Sequence, residues 1–323
     1  MRAVVLEGPG RISLEDVRDP APGPGEALID VKVAGICGTD LQLARGYMGF
    51  TGIPGHEFVG TVAVVNSHAD KLLIGARVVG EINIGCEECA LCAEGLQRHC
   101  GRRRVLGILG KEGAFAERLT LPIRNLHAVP GTISDSQAVF IEPIAAALEI
   151  LDQVVVARSE RILVLGDGKL GLLVAQALAT RGSDVTVAGH HEAKLALARE
   201  LGLKAVTPAG LSGTRPFDLV VEATGRPEGL DLALTHVRPR GTVVMKTTSQ
   251  GPAAFEAWRA VVNEITLVGS RCGRFEPAIE ALVSGDIKVD PLVTAELPLD
   301  DGMAAFDKAR EPGALKVLLR VAR

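Results

Sequence analysis

Four cysteines crowd into the fifteen-residue stretch CEECALCAEGLQRHC, where Cys86, Cys89, Cys92 and Cys100 follow the spacing C-x2-C-x2-C-x7-C. Four soft thiolates suit tetrahedral zinc. A site filled by four protein thiolates keeps no open coordination position, so its natural work is to pin a lobe that lacks a core of its own. An iron-sulfur cluster is the chemical alternative for the same donors. A second set is dispersed: Cys37 in GICGTD, His56 and Glu57 in GHEFVG, and Glu142 in FIEPIAAALE. Singly, each has an ordinary reading as a buried thiol, a hydrogen-bonded turn histidine or a solvated carboxylate.

A third feature is the turn LGDGKLG, which sets Gly166, Gly168 and Gly171 in a G-x-G-x-x-G spacing, with Lys169 and Leu170 between the last two. The first glycine allows a tight turn, the second lets backbone approach a pyrophosphate, and the third permits close helix-strand packing. Helix amides would then face the phosphates. The alternative is a tight turn with glycines placed only for packing. The stretch VTVAGHHEAK carries the one adjacent histidine pair, His190 and His191, which raises the question of a further metal site.

These residues must be held by elements of two kinds. Up to about Leu126, segments such as EALIDVKVAGI, EFVGTVAVV and GARVVGEINI are rich in β-branched residues with partial alternation and Gly or Pro punctuation, as in an irregular antiparallel barrel. From Arg161, RILVLG, KLGLLVAQALATRG, DVTVAG, HEAKLALARELG, FDLVVEATG and GTVVMK alternate strand and helix, which predicts a parallel sheet covered on both faces. The last segment, from KVDPLV to KVLLRV, returns to mixed helix and strand and can rejoin the first half. A chain of 323 residues accommodates two such domains.

Net charge is −4, with Lys and Arg spread along the chain, so there is no electrostatic case for nucleic acid or an acidic membrane surface. A small, roughly neutral substrate fits better. No apolar run approaches the ~20 residues of a membrane span, and MRAVVLEGPG runs into a strand without a leader pattern. The cysteine density suits metal in a reducing compartment. The expectation is a soluble, cytoplasmic protein.

With five motifs in order (GICGTD, GHEFVG, the cysteine lobe, EPIAAALE and LGDGKLG), the chain resembles the medium-chain, zinc-dependent alcohol dehydrogenase family over nearly its full length. The resemblance implies an α/β protein: a GroES-like β catalytic domain, 1–142 with 270–323, carrying the structural zinc lobe at 86–100, and an inserted Rossmann domain with a doubly wound parallel sheet, 143–269. It implies two zinc ions per chain, an active site in the interdomain cleft, and a homodimer or homotetramer.

Carried over residue by residue, Cys37 and His56 match catalytic zinc ligands, and Glu142 stands where the primary-alcohol branch has cysteine, which leans toward the polyol, sugar and threonine dehydrogenases. Glu57 is linked to the same metal in such relatives, and Asp40 matches a partner of the His56 ring. Thr39 matches the hydroxyl of the proton relay, whereas Gln42, where many relatives have histidine, cannot titrate. Thr224, Gly225, Gly269 and Ser270 resemble strand ends lining the nicotinamide, and Lys316 resembles a basic residue that reaches the pyrophosphate. The implied reaction is hydride transfer between a secondary hydroxyl and a nicotinamide cofactor, assisted by a zinc ion with an open position.

Two zinc sites leave the histidine pair without a metal role. In NAD-using relatives an acid ends the second Rossmann strand and binds the adenosine ribose. Here that position is Gly189. With His190, His191 and Lys194 as donors beside it, the expectation is NADP over NAD. The alternative function is a nucleotide-binding redox sensor of the same fold without turnover, for which the retained set Cys37, Thr39, His56 and Glu142 would have no use.

Overall fold

The computed structural model describes residues 1–67, 70–248 and 255–321. It divides into two compact units: Met1–Glu142 with Leu292–Arg323, and Pro143–Pro291. The first unit is built on a seven-stranded sheet whose path runs Leu126–Ala128, Arg77–Gly80, Glu57–Val65, Glu26–Ile36, Lys316–Arg320, Val293–Pro298, with Arg118–Pro122 also paired to Glu26–Ile36. The long strand Glu26–Ile36 is buried at most of its positions, as its Val, Ile, Leu and Ala content requires of a strand covered on both sides. Phe115 meets Phe306 edge to face in this core, ring centres 5.8 Å apart.

The C-terminal strand joins this sheet in antiparallel register, Val317 opposite Ile36 and Leu318 opposite Gly35, while Gly35 also faces Glu57 across the other edge. The cysteine segment leaves the sheet as a small lobe with the short strands Asn83–Ile84, Arg104–Leu106 and Gly110–Lys111. The strand pairs of this lobe are only two residues long. Such a lobe has little hydrophobic area of its own.

The second unit is a six-stranded parallel sheet in the order Lys204–Val206, Asp184–Ala188, Arg161–Leu165, Phe217–Glu222, Val237–Met245, Thr266–Gly269. The chain moves outward in one direction from Arg161–Leu165, then returns to its other side, so the strand order reverses there. Ligands of open α/β sheets bind at such a reversal, beyond the carboxyl ends of the strands.

The return to the first unit differs from expectation. Residues 270–291 belong with the parallel-sheet unit. The helix Phe275–Ser284 ends in Gly285, and Gln176 on the helix Lys169–Ala179 clasps Lys288 with both ends of its amide, Nε2 donating to the carbonyl (3.1 Å) and Oε1 accepting from the amide (2.8 Å). Periodicity is the same for a helix on either side of a boundary, and this long-range clasp ties the segment before Leu292 to the parallel-sheet unit.

One half-buried pair ties the lobe to the main sheet: Lys111 Nζ lies 2.9 Å from Glu26 Oε1 and donates to Thr120 Oγ1 at 2.8 Å. Burial alone would raise the Glu26 pKa, but Lys111 and the Gly23 amide together hold it below its ordinary value. A depressed folded pKa means stability that is present above the unfolded value and lost as pH falls through the folded one. Glu26→Gln is expected to cost about 1 kcal/mol at pH 7, discounted for solvent screening, with a smaller loss at acid pH. Thermal melts of both proteins across pH 3 to 8 read this directly; parallel pH profiles would contradict it.

Candidate functional site

In the first unit, the end of one strand, Glu26–Ile36, and the start of its neighbour, Glu57–Val65, bring a cluster of donors together. Cys37 caps the helix Gly38–Leu43: its backbone N–H donates to Asp40 Oδ2 at 2.8 Å, a capping interaction that fixes the loop after the long strand. The other carboxylate oxygen of Asp40 lies 3.2 Å from His56 Nδ1, both groups buried, which leaves Nε2 as the ring nitrogen for a metal. Ligand atoms of Cys37, His56 and Glu57 all lie within 4.8 Å of one another. Burial would lower the His56 pKa, but Asp40 and Cys37 reverse the effect and raise it well above its ordinary value. The set offers one thiolate, one imidazole and one carboxylate, donors that zinc accepts.

Glu142 is half-buried in the first turn of the helix Ile141–Gln153 and is not one of this cluster. Thr39 is half-buried with Oγ1 4.0 Å from Cys37 Sγ. Lys316 corrects an expectation. It is fully buried, its Nζ bonds Glu57 Oε2 and sits 5.3 Å from the centre of the Phe140 ring, so no part of it is exposed to a pyrophosphate. Burial pushes Lys316 down to about 8, against the pull of Cys37 and Asp40.

The second donor set behaves as its spacing indicates. The sulfurs of Cys86, Cys89, Cys92 and Cys100 lie within 4.8 Å of one another and form no disulfide. A bond from the Glu88 backbone lowers Cys86 to about 6, whereas burial raises Cys92 to about 11. Arg102 Nη2 stands 3.2 Å from Cys86 Sγ, a cation suited to a thiolate. The four converging thiols therefore fit a tetrahedral metal.

In the second unit, a cavity of about 640 Å³ opens at the carboxyl ends of the central strands. Gly166, Gly189, His190, His191 and Thr224 line it. Gly166 has φ +120°, and a Cβ there would meet the Ala223 carbonyl oxygen at 2.4 Å; one on Gly171 would meet the Gly166 carbonyl oxygen at 2.0 Å. Only glycine fits either place. Nothing lies within 4 Å of a Cβ built on Gly168, which leaves room for a ligand to approach. Lys169 and Leu170 open the following helix. Gly225 donates to Thr247 Oγ1 (2.9 Å), and Gly269 ends its strand. Ser270 is buried against Lys246, whose Nζ lies 3.1 Å from its Oγ.

The space expected beside Gly189 is not open. It is taken by Asp167, the residue between the first two glycines of the turn: a Cβ on Gly189 would meet Asp167 Cβ and Oδ2 at 2.3 Å. The His191 amide donates to Asp167 Oδ2 (2.7 Å), and His191 Nδ1 lies 3.1 and 3.0 Å from the two oxygens. Burial would raise Asp167, but the His191 amide and ring and the charge of Lys194 hold it below the ordinary carboxylate range. Lys194 is itself buried, and burial lowers its pKa. The glycine spacing called attention to this turn, but its variable position gave no signal.

One unit has a parallel sheet with a cavity at its switch point and the other has two converging metal-donor sets, a combination that fits an oxidoreductase using zinc and a nucleotide. Residues 23–131 match the model of the alcohol dehydrogenase GroES-like domain and residues 170–284 that of zinc-binding dehydrogenase. D-Altritol 5-dehydrogenase of Agrobacterium fabrum is 32% identical, over 98% of this chain and 98% of its own. A solved short chain alcohol dehydrogenase of Escherichia coli CFT073, complexed with NADH, matches with TM-score 0.91 and 28% identity over 99% of both chains. A Sinorhizobium meliloti 1021 structure bound to NADP matches with TM-score 0.88 and 29% identity, over 99% of this chain and 98% of that one. The chain belongs to the medium-chain, zinc-dependent alcohol dehydrogenase family and is a dehydrogenase acting on hydroxyl groups.

The Lys316 and Glu57 pair yields a stability test. Lys316→Met leaves a buried carboxylate without its cation and is expected to cost about 3 to 5 kcal/mol in urea unfolding. Glu57→Gln combined with Lys316→Met should cost clearly less than the two single changes summed. Additive losses would mean that the pair is not coupled.

Proposed function

We propose that the enzyme oxidises a secondary hydroxyl of a small polyol, sugar or related hydroxy compound, and reduces the corresponding carbonyl, with a nicotinamide dinucleotide and two zinc ions per chain. The observation that carries this reading is the convergence of Cys37, His56 and Glu57 in the first unit, distinct from the four-cysteine lobe. Cys37 and His56 would hold the catalytic ion with a carboxylate from Glu57 or Glu142; Cys86, Cys89, Cys92 and Cys100 would hold the structural one. When bound, a zinc ion with an open position acts as a Lewis acid toward the substrate oxygen.

The residues themselves account for the rest. Asp40 stands 3.2 Å from His56 Nδ1 and, by its charge, favours a proton on that nitrogen. Thr39 offers a hydroxyl beside Cys37 that can accept a proton from the substrate and pass one on. Gln42 holds no exchangeable charge, so the proton leaves Thr39 through water or another group. The substrate class is drawn from Glu142 in the sequence and from the polyol relative.

For the cofactor, the exposed His190 supports a 2′-phosphate and Asp167, which His191 engages, opposes it. The reading extends to a cytoplasmic homodimer or homotetramer. Trp258, Val261 and Val262 are exposed on the short helix that precedes the edge strand Thr266–Gly269, which supports an interface there.

Metal analysis with turnover assays on secondary alcohols, polyols and sugars tests the proposal. Wild type should carry two zinc equivalents. Cys37→Ala should carry one, with turnover reduced by at least about 10³-fold and the fold retained. Cys100→Ser should also lose one equivalent, but with a lower melting temperature. Full turnover in Cys37→Ala, or no metal at all in wild type, would overturn the reading.

A further inference from the structure

The second Rossmann strand ends at Ala188, followed by Gly189, without an acid, yet the carboxylate of Asp167 lines the cavity it borders. Its position is the informative part. A side chain built on Gly189 would run into Asp167 Cβ at 2.3 Å, Cγ at 2.4 Å and Oδ2 at 2.3 Å. Asp167 therefore fills the volume that an acid at position 189 would need, and the chain can carry one or the other but not both.

We propose that Asp167 selects the dinucleotide: it is the ribose-recognising acid of this enzyme, moved from the end of the second strand onto the glycine turn, and it makes the enzyme prefer NAD to NADP. This rests on reading the 640 Å³ cavity as a dinucleotide site. A carboxylate accepts hydrogen bonds from a ribose diol and repels a 2′-phosphate, so one group supplies both recognition and rejection.

The neighbouring cations do not cancel this charge for a phosphate. His191 spends its amide and Nδ1 on Asp167. Lys194 is buried and does not line the cavity, so of the three expected donors His190 and the Nε2 side of His191 remain at the cavity, facing Asp167, which is buried but does line it. Arg226, Glu228 and Asp231 also line the cavity. The lining thus sets three carboxylates, Asp167, Glu228 and Asp231, against one guanidinium and the imidazoles of His190 and His191, an acidic balance in which a doubly charged phosphate gains little. The His191 amide and ring also orient Asp167, because they engage its oxygens from one side.

The test is calorimetric titration of NADH and NADPH into the zinc-loaded protein, with no alcohol present. Wild type should bind NADH at least about tenfold more tightly, a difference of about 1.4 kcal/mol. Asp167→Asn keeps an acceptor for the His191 amide and removes the charge, and should shrink the ratio by about tenfold or more through tighter NADPH binding. Asp167→Gly with Gly189→Asp returns the acid to the strand end and should restore the NADH preference, whereas Gly189→Asp alone should lower the melting temperature. Tighter NADPH binding by wild type, or an unchanged ratio in folded Asp167→Asn, overturns the proposal. If neither nucleotide binds, the dinucleotide reading falls and the proposal with it. If NADH binds but no hydroxyl compound is turned over, only the substrate reading falls, and the binding ratios still decide the role of Asp167.

Discussion

The first unit depends on the register of three neighbouring strands. Gly35 in the long strand faces Glu57 on one side and Leu318 on the other, with Lys316 two residues before Leu318 and Cys37 two residues after Gly35. This register brings Glu57 and Lys316, 259 residues apart in sequence, into one buried ion pair beside the metal donors. A one-residue slip of either partner strand would turn every side chain to the opposite face and dissolve the cluster. The buried pair makes such a slip expensive, because each ion would lose the partner that offsets its desolvation. Metal chemistry and strand pairing therefore constrain one another. The chain ends are sewn together at the place where donors must converge.

The second unit answers to a different constraint, the reversal of strand order at Arg161–Leu165. That reversal opens a cavity, and Gly166 lets the chain turn out of the strand into the helix with its carbonyl and amide neighbours in contact range. The same crowding leaves a volume beside Gly189 that a single carboxylate can fill. Specificity at such a site comes from which strand or turn supplies that carboxylate, and here the turn supplies it.

Much of this was legible in the chain itself. The C-x2-C-x2-C-x7-C run and the glycine turn are local signals, because their residues must be near in sequence to be near in space. The β-α alternation from Arg161 was readable for the same reason, whereas the first domain boundary at Pro143 came with the family resemblance. Lys316 was expected to reach the pyrophosphate, since nothing local shows that its strand pairs with Glu26–Ile36 or that it meets Glu57. The chain return at Leu292 was missed, since no periodicity encodes the side-chain clasp between Gln176 and Lys288. Gly189 was read correctly as lacking an acid, but the conclusion of an open pocket failed because the neighbouring turn contributes the missing group. Glu142 matches its motif by order, whereas the donor cluster in space consists of Cys37, His56 and Glu57.

The central claim is two chemically different zinc sites in one chain, and zinc K-edge X-ray absorption on the metal-loaded protein tests it most directly. Four cysteines at one site and Cys37 at the other give five thiolates shared by two ions. The account predicts a mixed first shell averaging two to three sulfurs per zinc, near 2.3 Å, with nitrogen or oxygen donors near 2.0 Å making up the rest. A shell of four sulfurs and no lighter donor would contradict it, because that spectrum belongs to a chain that keeps only the structural site.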